Sequence, residues 1–300
     1  MKYNDWTGVF PAITTQYNQD YSVDIRATQK MLDELINDGV HGIIALGTVG
    51  ENYSLSAQEK RNVLAASKEV INGRVPLLSG VAENTTDLAC RYAKDCEEIG
   101  IDGLMVLPGL IYKSNQSETI NHFQQVARSS TLPNMIYNNP VSYGVDTNIE
   151  MMKVLAAEEN IVSIKESTTS TFRITDLFNE FGEDRFQIFC GVDNIAYESL
   201  LLGAHGWISG LTNVFPKESV AIYNLIKSGD TKKALEIYRW ITPLLHLDTI
   251  PTLVQCIKLA EQEVGRGNER IRAPRLTLMG EERELVIGLV KQALDTRPNI

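Results

Sequence analysis

The sequence predicts an α/β protein, a (β/α)8 TIM barrel with additional C-terminal helices. Three observations carry that expectation. Eight short apolar runs alternate with longer helix-period segments, the chain of 300 residues suffices for one large barrel, and the runs after the first are as short as helix-covered parallel strands. Eight βα units can also lie in an open doubly wound sheet, and the count of eight favours closure. Residues 1–230 are expected to form the barrel, and residues 231–300 a helical extension of the same domain.

The expected strands are Gly8–Thr14, Gly42–Leu46, Val75–Ser79, Gly103–Leu107, Asn134–Tyr137, Ile161–Lys165, Phe186–Cys190 and Gly206–Ser209. Between them, Asp24–Asp38 places Ile25, Met31, Leu32, Leu35 and Ile36 near a 3.6-residue period. Ser56-Ala57-Gln58-Glu59 reads as a capping box opening a helix to Ile71. Thr85–Ile99, Ser117–Arg128, Asn148–Ala157, Thr171–Phe181, Asn194–Leu202 and Pro216–Lys227 follow as helices. Gly39, Gly73, Gly100, Gly182, Gly203 and Gly229 stand just past helix ends, where a left-handed residue is commonly needed. Thr231–Leu247, Pro251–Val264 and Gly280–Leu294 read as further helices, with Asn268–Leu278 as a connector.

Composition narrows the function. The net charge of −10 and a pI near 5.0 argue against a nucleic-acid surface, which needs clustered Lys and Arg. No apolar run reaches the ~18 residues of a membrane span, and Met1–Trp6 holds no apolar signal segment. Cys90, Cys96, Cys190 and Cys256 form no C-x-x-C pair, and the four histidines show no metal-ligand spacing. The expectation is a cytoplasmic enzyme with neither metal nor cofactor.

A barrel places its chemistry at the C-terminal ends of its strands. Those ends supply Gly47-Thr48-Val49-Gly50-Glu51, Tyr137-Asn138-Asn139-Pro140, Lys165-Glu166-Ser167, Gly191-Val192-Asp193 and Ser209-Gly210. A lysine and a tyrosine without metal ligands point to imine chemistry. Strand alternation puts Ile161, Ser163 and Lys165 on one face, so Lys165 projects into the barrel near its mouth. Burial there lowers an amine's pKa and makes it a nucleophile toward carbonyls and imines. The competing reading is a lysine paired with a carboxylate from another strand. The Tyr137 phenol can relay protons, or simply pack with its hydroxyl on a backbone partner. Gly47–Glu51 is a tight turn whose N–H groups can converge on a carboxylate, and it matches neither a Walker loop nor a dinucleotide fingerprint.

Together these residues resemble the dihydrodipicolinate synthase / N-acetylneuraminate lyase superfamily. The match runs through Gly8-Val9-Phe10-Pro11-Ala12-Ile13-Thr14, Gly47-x-x-Gly50-Glu51, Pro76 to Gly80-Val81, and Tyr137-Asn138-x-Pro140. It continues through Ile164-Lys165-Glu166-Ser167, Gly191-x-Asp193 and Gly206-x-Ile208-Ser209, almost the whole chain in order. The resemblance implies a homotetramer, a small-molecule α-keto or imino acid substrate, and a covalent Schiff base. By position it implies Lys165 as the Schiff-base lysine, Tyr137 as proton relay and Thr48 as relay hydroxyl. It implies carboxylate binding by backbone N–H groups of the Gly47, Val49 and Gly50 region, with Ile208 beside the bound keto acid.

The departures bear on substrate. The synthase carries a second hydroxyl residue where Val49 stands, and an arginine where Ser142 stands, followed here by Tyr143. Serine does not replace a bidentate arginine on a carboxylate, which argues against lysine biosynthesis. The tyrosine that the synthase lends to a neighbouring subunit is displaced here, in Gly109-Leu110-Ile111-Tyr112, by about one residue. Several segments outside the shared catalytic set resemble 1-pyrroline-4-hydroxy-2-carboxylate deaminases of hydroxyproline catabolism. They include Tyr137-Asn138-Asn139-Pro140-Val141-Ser142-Tyr143-Gly144-Val145, Arg173-Ile174-Thr175-Asp176, Leu244-Leu245-His246-Leu247-Asp248-Thr249 and Arg272-Ala273-Pro274-Arg275-Leu276. The implied reaction yields 2,5-dioxopentanoate and ammonia, with Ser142 and Tyr143 shaping the pocket. The rivals are a class I aldolase splitting a 2-keto-3-deoxy sugar acid to pyruvate, the synthase itself, and a non-catalytic keto-acid-binding protein. His246-Leu247-Asp248 can touch a neighbouring subunit or the pocket but is expected rather to cap and pack, and Arg272 and Arg275 are expected to hold the C-terminal segment by surface pairs.

Overall fold

Short β-forming runs that are apolar on both faces can satisfy both only between a barrel interior and a shell of helices. The computed structural model, which describes residues 6–109 and 111–300, has that arrangement. Its strands are β1 (Gly8–Pro11), β2 (Ile43–Ala45), β3 (Leu77–Val81), β4 (Gly103–Val106), β5 (Asn134–Asn138), β6 (Ile161–Glu166), β7 (Gln187–Cys190) and β8 (Gly206–Ser209), and every residue in them is buried. All neighbouring pairs are parallel, in the order β1-β8-β7-β6-β5-β4-β3-β2. A parallel bridge between Ala12 and Ile44 brings β1 to β2, with Ile13 N donating to Ile44 O at 2.9 Å. The expected (β/α)8 barrel is therefore what forms.

The shell consists of α1 (Ile25–Asn37), α2 (Ala57–Ile71), α3 (Thr86–Ile99), α4 (Gln116–Arg128), α5 (Pro140–Tyr143) and α6 (Ile149–Leu155). It continues with α7 (Phe172–Phe181), α8 (Ala196–Leu201) and α9 (Pro216–Ser228). Local chemistry sets many of the boundaries. Asp24 caps α1 by accepting from Ala27 N, and the Ser56–Glu59 capping box opens α2 as the sequence predicts. All six glycines expected beyond helix ends have positive φ. The four-residue α5 was not expected, because one turn is too short to show a period. Strand β3 starts at Leu77 rather than Val75, since Pro76 has no N–H to donate. Strand β1 ends at Pro11, and the chain beyond it turns toward the C-terminal helices.

Those helices are α10 (Thr231–Leu245), α11 (Leu253–Glu263) and α12 (Gly280–Asp295). The expected helix to Leu247 stops at Leu245 and tightens into a 3-10 turn over His246–Thr249, just after Pro243 removes a helical donor. That turn matters for position: the Asp248 carboxylate accepts from Asp193 N at 3.1 Å, beside the mouth of the barrel. From α11, the Lys258 ammonium donates to Thr15 O and to the Glu51 carboxylate, both at 2.8 Å. Glu261 accepts from Thr14 Oγ1 at 2.8 Å. The C-terminal helices thus hold the loops after β1 and β2 from behind. Met1–Asp5 and Leu110, which enter the readings of the N-terminus and of the Gly109–Tyr112 stretch, lie outside the described residues.

Candidate active site

At the C-terminal end of the barrel lies a cavity of about 500 Å³, within the range of small-molecule sites. Lys165, Tyr137, Thr48, Val49, Ser142, Tyr143 and Ile208 all line it. Strand pairing brings the first two together, since Tyr137 on β5 sits in register with Lys165 on β6. The amine lies 4.1 Å from the centroid of the Tyr137 ring. Space for the lysine comes from Gly191, where a Cβ would stand 2.6 Å from Lys165 Cε and 2.0 Å from Ser167 Oγ.

Lys165 is 7% exposed, and among the described residues no carboxylate lies within ion-pair distance of its amine. The paired-lysine alternative therefore does not describe this side chain. Burial pushes its pKa down, opposed by the nearby Asp248 and Asp193 carboxylates. Burial raises both of those acids, and the Asp248 carboxylate raises Asp193 further. Asp193 is held in place by Trp207 Nε1 at 2.9 Å and Leu211 N at 3.0 Å.

The tyrosines form a hydroxyl array from one chain. Asn139 serves two purposes: its Oδ1 caps α5 by accepting from Ser142 N at 3.0 Å, and its Nδ2 donates to the Tyr137 hydroxyl at 3.2 Å. The short helix then delivers Tyr143 edge-on to Tyr137, with ring centroids 5.6 Å apart. The Tyr143 hydroxyl bonds Thr48 Oγ1 at 2.5 Å. Burial pushes the Tyr137 phenol up to about 12 and raises Tyr143 as well, so both stand protonated and ready to donate at neutral pH. Tyr112, by contrast, is 61% exposed and does not line the cavity.

The loop after β2 departs in part from expectation. Thr48 and Val49 face the cavity, and their N–H groups meet no protein acceptor among the described residues. Gly47 and Gly50 do not line it. The loop folds back on itself: a Cβ at Gly50 would stand 2.9 Å from Leu46 N, and Gly50 O accepts from Thr15 Oγ1 at 2.7 Å. Both glycines therefore lie behind the cavity lining, and Gly50 leaves no room for a side chain against Leu46. Glu51, in the left-handed conformation at φ 54°, points away toward Lys258.

Two further corrections concern residues expected to be structural. Asp248 lines the cavity, as does Arg275, which makes no ion pair among the described residues. Neither has a local sequence signature, because each reaches the site through C-terminal chain distant from the strands. Arg272 does behave as expected, clamping Glu59 at 2.6 Å. Among the described residues no cluster of three metal-ligating side chains occurs, and no helix is long and apolar enough to cross a membrane.

The chain matches a known family over almost its whole length. The Dihydrodipicolinate synthetase family matches residues 5–293. A 4-hydroxy-tetrahydrodipicolinate synthase of Methanocaldococcus jannaschii is 31% identical over 95% of this chain and 97% of its own. A probable 2-dehydro-3-deoxy-D-pentonate aldolase of Escherichia coli is also 31% identical, over 92% and 93% of the two chains. The solved 4-hydroxy-tetrahydrodipicolinate synthase of Methylacidiphilum fumariolicum superposes with a TM-score of 0.92 at 27% identity, covering 96% of each chain.

Proposed function

Because the chain belongs to the dihydrodipicolinate synthetase family, whose members are lysine Schiff-base lyases, we propose that it deaminates 1-pyrroline-4-hydroxy-2-carboxylate to 2,5-dioxopentanoate and ammonia. The observation that carries this reading is the buried, unpaired Lys165 amine beside a hydroxyl array that its own chain completes through Tyr143 and Thr48. Neutral Lys165 adds to the imine carbon C2, and the C2–N bond breaks as the ring nitrogen takes a proton and leaves as an amine on C5. The resulting protonated Schiff base acidifies C3, whose proton leaves to give an enamine. The enamine expels the 4-hydroxyl, which departs as water after protonation. Proton shifts move the unsaturation to C5, where the amine becomes an imine. One water hydrolyses that imine to an aldehyde and ammonia, and a second releases the 2-oxo acid from Lys165, so one water is consumed net.

Tyr137, Tyr143 and Thr48 carry the protons in this scheme. The free N–H groups of Thr48 and Val49 receive the carboxylate on C1, and Ile208 packs against the carbon chain. Ser142 and Tyr143 bound the far side of the substrate. The iminium on Lys165 supplies the electron sink, so the scheme calls on no metal or cofactor. The reading includes a cytoplasmic homotetramer acting in hydroxyproline breakdown, and sedimentation analysis tests the assembly.

A second reading, aldol cleavage of a 2-keto-3-deoxy sugar acid to pyruvate, is favoured by the similarity to the Escherichia coli aldolase. Ammonia and pyruvate release separate the two. The deaminase reading expects ammonia from the pyrroline substrate with wild type and none with Lys165→Ala. Pyruvate from a keto-deoxy sugar acid, with no ammonia from the pyrroline, would replace it by the aldolase.

A further inference from the structure

We infer that Arg275 builds a second carboxylate subsite in this cavity, so that 2-oxo acids with a distal carboxylate bind it more tightly than monocarboxylates of the same length. The inference rests on the keto-acid reading of the Lys165 site and adds to it a residue and a ligand class. Its starting point is a contrast among neighbouring arginines. In the C-terminal stretch, Arg266 pairs with Asp38, Arg272 with Glu59, Arg283 with Glu269 and Arg297 with Glu218, while Arg270 donates to Tyr17 O at 2.6 Å. Arg275 is half-buried, lines the cavity and has no acid within ion-pair distance among the described residues.

Its backbone is held in place. Arg275 N donates to Arg272 O at 3.2 Å. The Arg272 guanidinium in turn holds Glu59, Ser54 O at 2.9 Å and Tyr21 O at 2.8 Å. Ile271 and Leu278 are buried on either side. The guanidinium is thus presented to the cavity by a pinned segment.

The charges of the cavity then assign its ligand. Lys165 and Asp248 are the other charged side chains lining it, and Lys165 is committed to the 2-oxo carbon. The N–H groups of Thr48 and Val49 take the first carboxylate. An unpaired guanidinium elsewhere in the same cavity matches a second one, for which its planar fork of donors is suited. About 500 Å³ accommodates a five-carbon chain between the two. Such a dicarboxylate competes with substrate.

Calorimetric titration of the whole chain with 2-oxoglutarate and with 2-oxopentanoate tests this. Wild type is expected to bind 2-oxoglutarate roughly tenfold more tightly or better, the worth of a charge-assisted hydrogen-bond pair. Arg275→Gln is expected to bring the two acids to parity with 2-oxopentanoate binding unchanged, and Arg275→Lys to retain part of the preference. Retained 2-oxopentanoate binding shows that the variants are folded. Equal binding of both acids by wild type, or equal weakening of both by Arg275→Gln, would overturn the subsite. Failure of both acids to bind wild type would remove the keto-acid reading along with it. A preference that persists while no ammonia is released from the pyrroline rejects the deaminase alone.

Discussion

Lys165 and Lys258 are both buried lysines, and the difference between them separates reactivity from scaffolding. Lys165 is 7% exposed and Lys258 0%. Each amine sits over a tyrosine ring, at 4.1 Å from Tyr137 and 4.4 Å from Tyr17. Burial lowers the pKa of both. Their hydrogen bonds differ. Lys258 donates to Thr15 O and to a fully buried Glu51 carboxylate, so its charge is matched and its position fixed. Lys165 has neither partner and opens on the cavity, with Asp248 and Asp193 acting on it only through space. Burial alone therefore does not make a lysine a nucleophile; burial without a partner, at a surface that a substrate can reach, does.

This contrast can be broken most sharply at Lys165. Lys165→Ala is expected to lower turnover by more than about 10³-fold with unfolding by denaturant unchanged, since in the proposed scheme it removes the amine on which every later step depends. Lys258→Met should do the reverse. It strands a buried Glu51 carboxylate and is expected to cost about 3–5 kcal/mol in urea unfolding, with Glu51→Gln in the same chain recovering part of the loss. Equal loss of stability from both lysine substitutions would erase the distinction. Tyr143→Phe keeps the ring against Tyr137 but cuts the bond to Thr48, and kcat should fall by roughly 10²-fold, the lower end of proton-transfer contributions. Keto-acid binding to that variant should survive.

The smallest effect concerns pH. The Asp248 carboxylate favours the charged form of Lys165 and so raises its pKa against the downward pull of burial. Lys165 must be neutral to attack, so kcat/KM rises as pH climbs through its pKa. Asp248→Asn removes the opposing charge, lowers that pKa further and should move the acidic limb of the profile to lower pH. A shift to higher pH would contradict the arrangement of charges described here.

The barrel was legible because its signals are local and repeat: strand-length apolar runs, capping residues such as Asp24, Ser56 and Thr85, and glycines with positive φ beyond helix ends. Lys165 and Tyr137 could be placed by alternation and by the ends of their strands. The loop after β2 was half legible. Its composition marked a tight turn, but which of its residues face inward depends on the backward fold of Gly50 against Leu46. Asp248 and Arg275 were misread as structural because a cap or surface pair and a site residue look alike in sequence when tertiary packing alone brings them to the cavity. Asn139 was visible within its motif, yet its double duty on Tyr137 and α5 required the short helix that periodicity cannot register.

The central claim is that Lys165, and not Lys258, forms the Schiff base. Incubation of the protein with pyruvate and borohydride, followed by peptide mass spectrometry, tests it most directly. The account predicts one reduced adduct on the peptide that carries Lys165, none on Lys258, and no adduct in Lys165→Ala. An adduct that persists in Lys165→Ala, or none in wild type, would contradict it.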